Sequence, residues 1–275
     1  MIAPIDFSAM FRASVAEKLR VAGDIDEDAA EALAETLYAE WAQTPDERLN
    51  GLSPRAWFAR LATPEALTEL LTAYARENVE IPELLLERFD DLGAVCAPRL
   101  EALARNVEAP PIARAQAFDL LLGFDGERAM AVATDAVLAA TQSGELVERA
   151  AEALGERAGT EARERLLAGY AGASEFAQML ILEILCNFSG DEHIYTNMVD
   201  MFRNRPEKRA FAAKLLGRYG DARAVGPLRA ALSLSDLTYF EYLEIRNAIE
   251  ALGEEVEGER EFYGDPDYEY LRGLN

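Results

Sequence analysis

Six segments of helical periodicity between residues 92 and 253 close in the same way. They end on Leu92-Gly93, Leu122-Gly123, Leu154-Gly155, Cys186-Asn187, Leu216-Gly217 and Leu252-Gly253, at intervals of 30 to 36 residues. Glycine, with asparagine as its best substitute, enters the left-handed conformation that terminates helices, so each pair is expected to stop a helix. A second turn signal follows three or four residues on, at Gly126, Gly159, Gly190-Asp191 and Gly220-Asp221. Between the stops, apolar residues recur at i, i+3, i+4 and i+7. In the last segment Tyr242, Ile245, Ala248, Ile249 and Leu252 form one stripe, and Glu244, Asn247 and Glu250 fall outside it. Alternating β-branched runs joined by hairpin turns are absent. The chain therefore reads as all-α, and a unit of about 32 residues with two turn signals predicts helical hairpins that stack on one another.

The most regular stretch is RAFAAKLLGRYGDARAVGPLRAALSLSDLTYFEYLEIRNAIEALG, residues 209 to 253. It resembles the short HEAT-like repeats related to those of phycobilisome lyases. That unit runs from an arginine through paired alanines, Leu-Gly and Gly-Asp to Ala-Val and a proline. Here Arg209, Ala212, Ala213, Leu216-Gly217, Gly220-Asp221, Ala224-Val225 and Pro227 fill those places. Ala94-Val95 with Pro98 echoes the helix start, and Arg246, Ala248 and Leu252-Gly253 close the last unit. The match loosens over 127–208 and again over 64–126; the units between 127 and 190 lack the proline, and Glu183 replaces an alanine. The resemblance implies a right-handed α-α superhelix, a HEAT-like solenoid of stacked hairpins, over residues 63–257. Paired alanines let helices approach, and a proline in a first turn costs little because its missing N–H had no intrahelical partner.

Residues 1–62 are helical but do not follow the unit, and are read as a helical N-terminal cap. Asp24 with Glu27 has the spacing of a capping box, opening a helix that runs to about Gln43. Asn50-Gly51 marks a turn, while Ser53-Pro54 and Thr63-Pro64-Glu65 each pair an N-cap hydroxyl with a first-turn proline. Trp41, Leu49, Leu52, Trp57 and Phe58 are the expected core of this region. Residues 258–275 form an acidic, aromatic tail. Phe262, Tyr263, Tyr268, Tyr270 and Leu271 are expected to fold back on the last hairpin and cover its exposed flank.

Composition narrows function more than it names it. The formal net charge is −23 and the sequence pI about 4.4. A nucleic-acid binder needs a positive footprint, and anionic membranes repel such a chain for the same reason. A basic partner is steered in. The N-terminus lacks the basic-then-apolar order of a signal peptide, and no apolar run is long enough to span a bilayer, so a cytoplasmic location is expected. No phosphate-binding loop, dinucleotide fingerprint, nucleophile elbow or Cys-x-x-Cys occurs. Cys96 and Cys186 lie apart within apolar segments and are expected to be buried thiols. His193 is the one histidine, so paired-histidine metal sites and Ser-His or Cys-His machinery are not expected. Deoxyhypusine hydroxylase, a HEAT-like enzyme, holds iron with several His-Glu pairs, which the single Glu192-His193 does not supply.

These features lead to the expectation of a non-catalytic scaffold that binds another protein, one with a basic segment, and needs no cofactor or metal. The repeat resemblance leaves two other readings open. One is a lyase or chaperone-like factor for a tetrapyrrole or similar ligand. The other is DNA repair, as in alkylpurine glycosylases of related architecture, against which the charge argues. Arg114, Arg149, Arg209 and Arg246 occupy roughly equivalent places on successive second helices and are the candidate binding residues. Either they line a groove and hold a partner's carboxylates, or they pair internally with acidic residues of adjacent repeats.

Overall fold

A computed structural model describes residues 3–22, 27–258 and 260–272. Helices and short 3-10 turns account for the architecture, with no strand among the described residues and one isolated antiparallel bridge between Asp46 and Leu52. The chain divides into two compact units, Met1–Val132 with Gly144–Arg149, and Ala133–Ser143 with Ala150–Asn275.

The first unit begins with α1 (Phe7–Ala22), α2 (Glu27–Gln43), α3 (Pro54–Ala59), α4 (Pro64–Glu77), α5 (Glu83–Leu92), α6 (Ala97–Arg105) and α7 (Pro111–Phe124). Its local grammar is that of the sequence. Ser53 Oγ accepts from the Ala56 N–H at 3.2 Å and Thr63 Oγ1 from the Ala66 N–H at 3.3 Å, each with proline at the first helical position. Asn50 and Gly51 both take positive φ and close the turn framed by the Asp46–Leu52 bridge. The expected Asp24–Glu27 capping box lies outside the described residues. Neighbouring helices pack as α1 on α2, α2 on α3, α3 on α5, and α4 on α5, α6 and α7. Leu67, Leu71, Leu85, Phe89, Leu100 and Phe118 fill the space between them and are fully buried. Of the expected N-terminal core, Trp41, Leu49 and Phe58 are buried, whereas Leu52 and Trp57 are only half-buried. Phe7, which the sequence did not single out, completes that core, its ring centroid 4.8 Å from that of Phe58. The Tyr74 hydroxyl donates to Ile5 O at 2.8 Å and ties the N-terminal segment to α4.

From the first unit the chain continues through α8 (Gly126–Leu138) and α9 (Glu145–Arg157) into α10 (Thr160–Gly169), α11 (Glu175–Leu185), α12 (Glu192–Asn204), α13 (Arg209–Tyr219), α14 (Val225–Ala231), α15 (Tyr239–Ala251) and α16 (Pro266–Arg272). In the second unit α10 packs on α11, α11 on α12, α12 on α13, α13 on α15, and α14 on α15. Thr238 and Glu241 form a complete capping box at the start of α15.

The recurring Leu-Gly pairs fall close to helix ends, but their glycines do not all do what the sequence predicts. Gly93 and Gly253 adopt positive φ at or just beyond a helix end. Gly123, Gly155 and Gly217 are instead helical residues within α7, α9 and α13. In α13 the left-handed role belongs to Gly220, with φ +80°. Gly217 serves contact: an ideal Cβ there would sit 2.8 Å from Ala248 Cα. Helix α13 can approach α15 this closely because one side lacks a side chain.

The tail does fold back on the last hairpin, although through fewer residues than expected. Phe262 is buried against Tyr239 and Tyr242, with ring centroids 5.5 and 5.1 Å away. Tyr268 meets Tyr239 edge-on at 5.0 Å. Asp265 Oδ2 accepts from the Tyr239 N–H at 3.0 Å, and Arg260 donates to the Leu232 and Leu234 carbonyls at the end of α14. Tyr263, Tyr270 and Leu271 point outward, at 64%, 70% and 44% exposure. Tyr263 precedes the seven-residue α16, and on that helix Tyr270 and Leu271 lie off the narrow face that carries Tyr268.

Candidate functional site

The four arginines singled out by the sequence are engaged within their own units. Arg114 Nε donates to the Ala104 carbonyl at 3.0 Å, in the last turn of α6. Arg149 pairs with Asp119. Arg209 is 5% exposed and reaches Glu241 at 3.2 Å and Asp236 at 3.4 Å. Arg246 pairs with Glu250 one turn along α15, at 3.0 Å. The first two belong to one unit and the last two to the other. His193 stands exposed in the first turn of α12, where its backbone N–H is accepted by Asp191 Oδ1 at 2.8 Å. Cys96 and Cys186 are buried, and burial pushes both thiols above their ordinary pKa. Among the described residues no group of three or more His, Cys, Asp or Glu side chains is placed to hold a metal ion, and no helix is long and apolar enough to cross a membrane.

An aromatic concavity lies in the first unit, at a place the sequence assigned only to core packing. Phe7 and Phe11 stand four residues apart on α1, and Tyr38 and Trp41 three apart on α2, spacings that put each pair on one helical face. The rings of Phe11, Tyr38 and Trp41 form a triangle with centroid separations of 5.2, 5.3 and 5.5 Å. Together with Ile81, Pro82 and Leu86 of the link into α5 and its first turns, they line a pocket of about 400 Å³. Glu80, Glu83 and Arg12 line it too, and all three are exposed.

Two polar features distinguish this pocket from a simple gap in packing. Burial first, then the carboxylates of Glu83 and Glu87, push the Tyr38 hydroxyl up to about 12, so it stays protonated at neutral pH. The Trp41 indole N–H is buried and finds no acceptor among the described residues, an uncommon state for a buried donor. Glu87 is already paired with Arg55 at 2.8 Å. Glu80 and Glu83 make no ion pair among the described residues.

No protein-family model, curated protein or solved structure matches this chain.

The pocket combines aromatic surface, a phenol that stays protonated at neutral pH, and two carboxylates with no ion pair among the described residues against one guanidinium. Ser8 is the one aliphatic hydroxyl among the lining residues. The aromatic i, i+4 and i, i+3 spacings were visible in the sequence. What was not visible was that the link after α4 returns to face them.

Proposed function

We propose that the chain is a non-catalytic, cytoplasmic protein-interaction scaffold of the HEAT-like type, whose partner is another protein contacted through a basic segment. Its repeat hairpins, on this reading, stack within each unit as a right-handed α-α superhelix behind a helical N-terminal cap. The motif over residues 209–253 and the contact of α13 with α15, a next-but-one pairing typical of stacked hairpins, support the repeat assignment. The observation that carries the functional reading is the formal charge of −23, joined to an aromatic pocket whose exposed carboxylates outnumber its cations. Charge of that size steers basic partners inward and turns polyanions away.

The test is affinity capture by the full chain in native-host extract, followed by cross-linking and mass spectrometry. A stoichiometric partner cross-linked through a Lys/Arg-rich segment is the expected result. Capture of nucleic acid, or a chromophore co-purifying with the chain, would replace this reading with another.

A further inference from the structure

We propose that the pocket formed by Phe11, Tyr38 and Trp41 is a recognition site for an arginine side chain of the partner's basic segment. The inference rests on the scaffold reading above and names the place and chemistry of contact.

Two observations converge on a guanidinium. Aromatic faces attract cations, and a planar, weakly hydrated guanidinium stacks on them better than an ammonium. Phe11 and Tyr38 are half-buried, so each ring leaves part of its surface open toward the 400 Å³ space. Glu80 and Glu83 then supply carboxylates with no partner among the described residues, and a guanidinium is matched to carboxylates in shape as well as charge. The field of Glu83 reaches the ring cluster, where it is the largest charged influence on Tyr38. Anionic ligands fit less well, because Arg12 alone faces two carboxylates around the pocket.

The experiment is a titration of the full chain, labelled with nitrogen-15, with the peptide acetyl-Gly-Gly-Arg-Gly-Gly-amide. The same peptide carrying citrulline in place of arginine, alike in shape but uncharged, is the control. Signals of the Trp41 indole N–H, assigned with Trp57→Phe, and of the Tyr38 amide are followed. Saturable shifts are expected with arginine, with affinity about fivefold weaker for citrulline. Glu80→Gln combined with Glu83→Gln, both on exposed side chains, should weaken the arginine peptide by about fivefold or more while leaving the spectrum otherwise folded. Unmoved Trp41 and Tyr38 signals, equal response to citrulline, or unchanged affinity in the double variant would each overturn the proposal. The two readings fail separately. A basic partner captured equally by the double variant leaves the scaffold standing and removes this site; peptide binding at the pocket without any captured protein does the reverse.

Discussion

Gly123 and Gly217 each follow a leucine in the recurring Leu-Gly pairs and face different surroundings. Gly123 lies exposed near the end of α7 with nothing within 4 Å of an added Cβ. Gly217 is buried, and its added Cβ would lie 2.8 Å from the backbone of Ala248 and 3.1 Å from its side chain. Gly123→Ala is therefore expected to stabilise the protein by about 0.5–1 kcal/mol, because alanine loses less backbone freedom on folding. Gly217→Ala is expected to destabilise it by about 1–3 kcal/mol, because a backbone atom of α15 has to move. Urea denaturation of both variants checks the pair, and equal effects would show that the α13–α15 contact is not so tight. The sequence carried the period of these glycines but not their roles. A glycine that turns the chain and one that admits a neighbouring helix leave the same letter. The four arginines were ambiguous in the same way: Arg209 in the repeat motif is a buried brace to Glu241, and only the neighbouring helix reveals it.

At the level of elements, helix starts were legible because their chemistry is local. Ser53-Pro54 and Thr63-Pro64 cap as their side chains require, whereas Asp191, expected only as part of a turn, also caps α12. The tail was legible only in part, since charge argued for solvation and aromatic content for docking. Phe262 buries its ring, and truncation after Glu257 should lower the melting temperature by roughly 5 °C and promote self-association through the uncovered Tyr239 and Tyr242. Unchanged melting of a monomeric truncated chain would instead mark the tail as a surface for recruiting partners. Its docking should also depend on acid. The Asp265 carboxyl accepts backbone N–H bonds from Tyr239, Tyr268 and Asp267, which hold it below the usual carboxylate range. A depressed folded pKa gives stabilisation that is complete above the unfolded value of about 3.9 and lost as pH falls through the folded one. Near-ultraviolet circular dichroism of the tyrosines should therefore lose its tail-dependent part below about pH 4. Asp265→Asn should show the weakened signal already at neutral pH, with that part of the acid dependence gone.

For the whole molecule, the all-helical class was readable from periodicity because apolar residues recur at helical spacing along most of the chain. The pocket was not, because α1, α2 and the link into α5 meet there from distant stretches of chain. Net charge is the one whole-chain property with a direct functional consequence, yet the −23 total is not sufficient alone. Fields from exposed charges are largely screened beyond about 8 Å at physiological salt, so a local basic face on an acidic protein still binds phosphate. Here the local arrangement points the same way as the total. Arg55, Arg99, Arg128, Arg223 and Arg229 each sit against a carboxylate, at 2.6 to 3.0 Å, so phosphate contacts would have to break existing pairs. Each such pair is individually weak, but breaking several for one duplex gives no net counterion release. Gel retardation at ~150 mM salt should accordingly show no complex with duplex DNA at roughly micromolar protein, the range where non-specific binders already act. An arginine-rich peptide should bind under the same conditions and weaken as salt rises. A retarded duplex band at micromolar protein would overturn the charge argument and move the chain toward nucleic-acid repair.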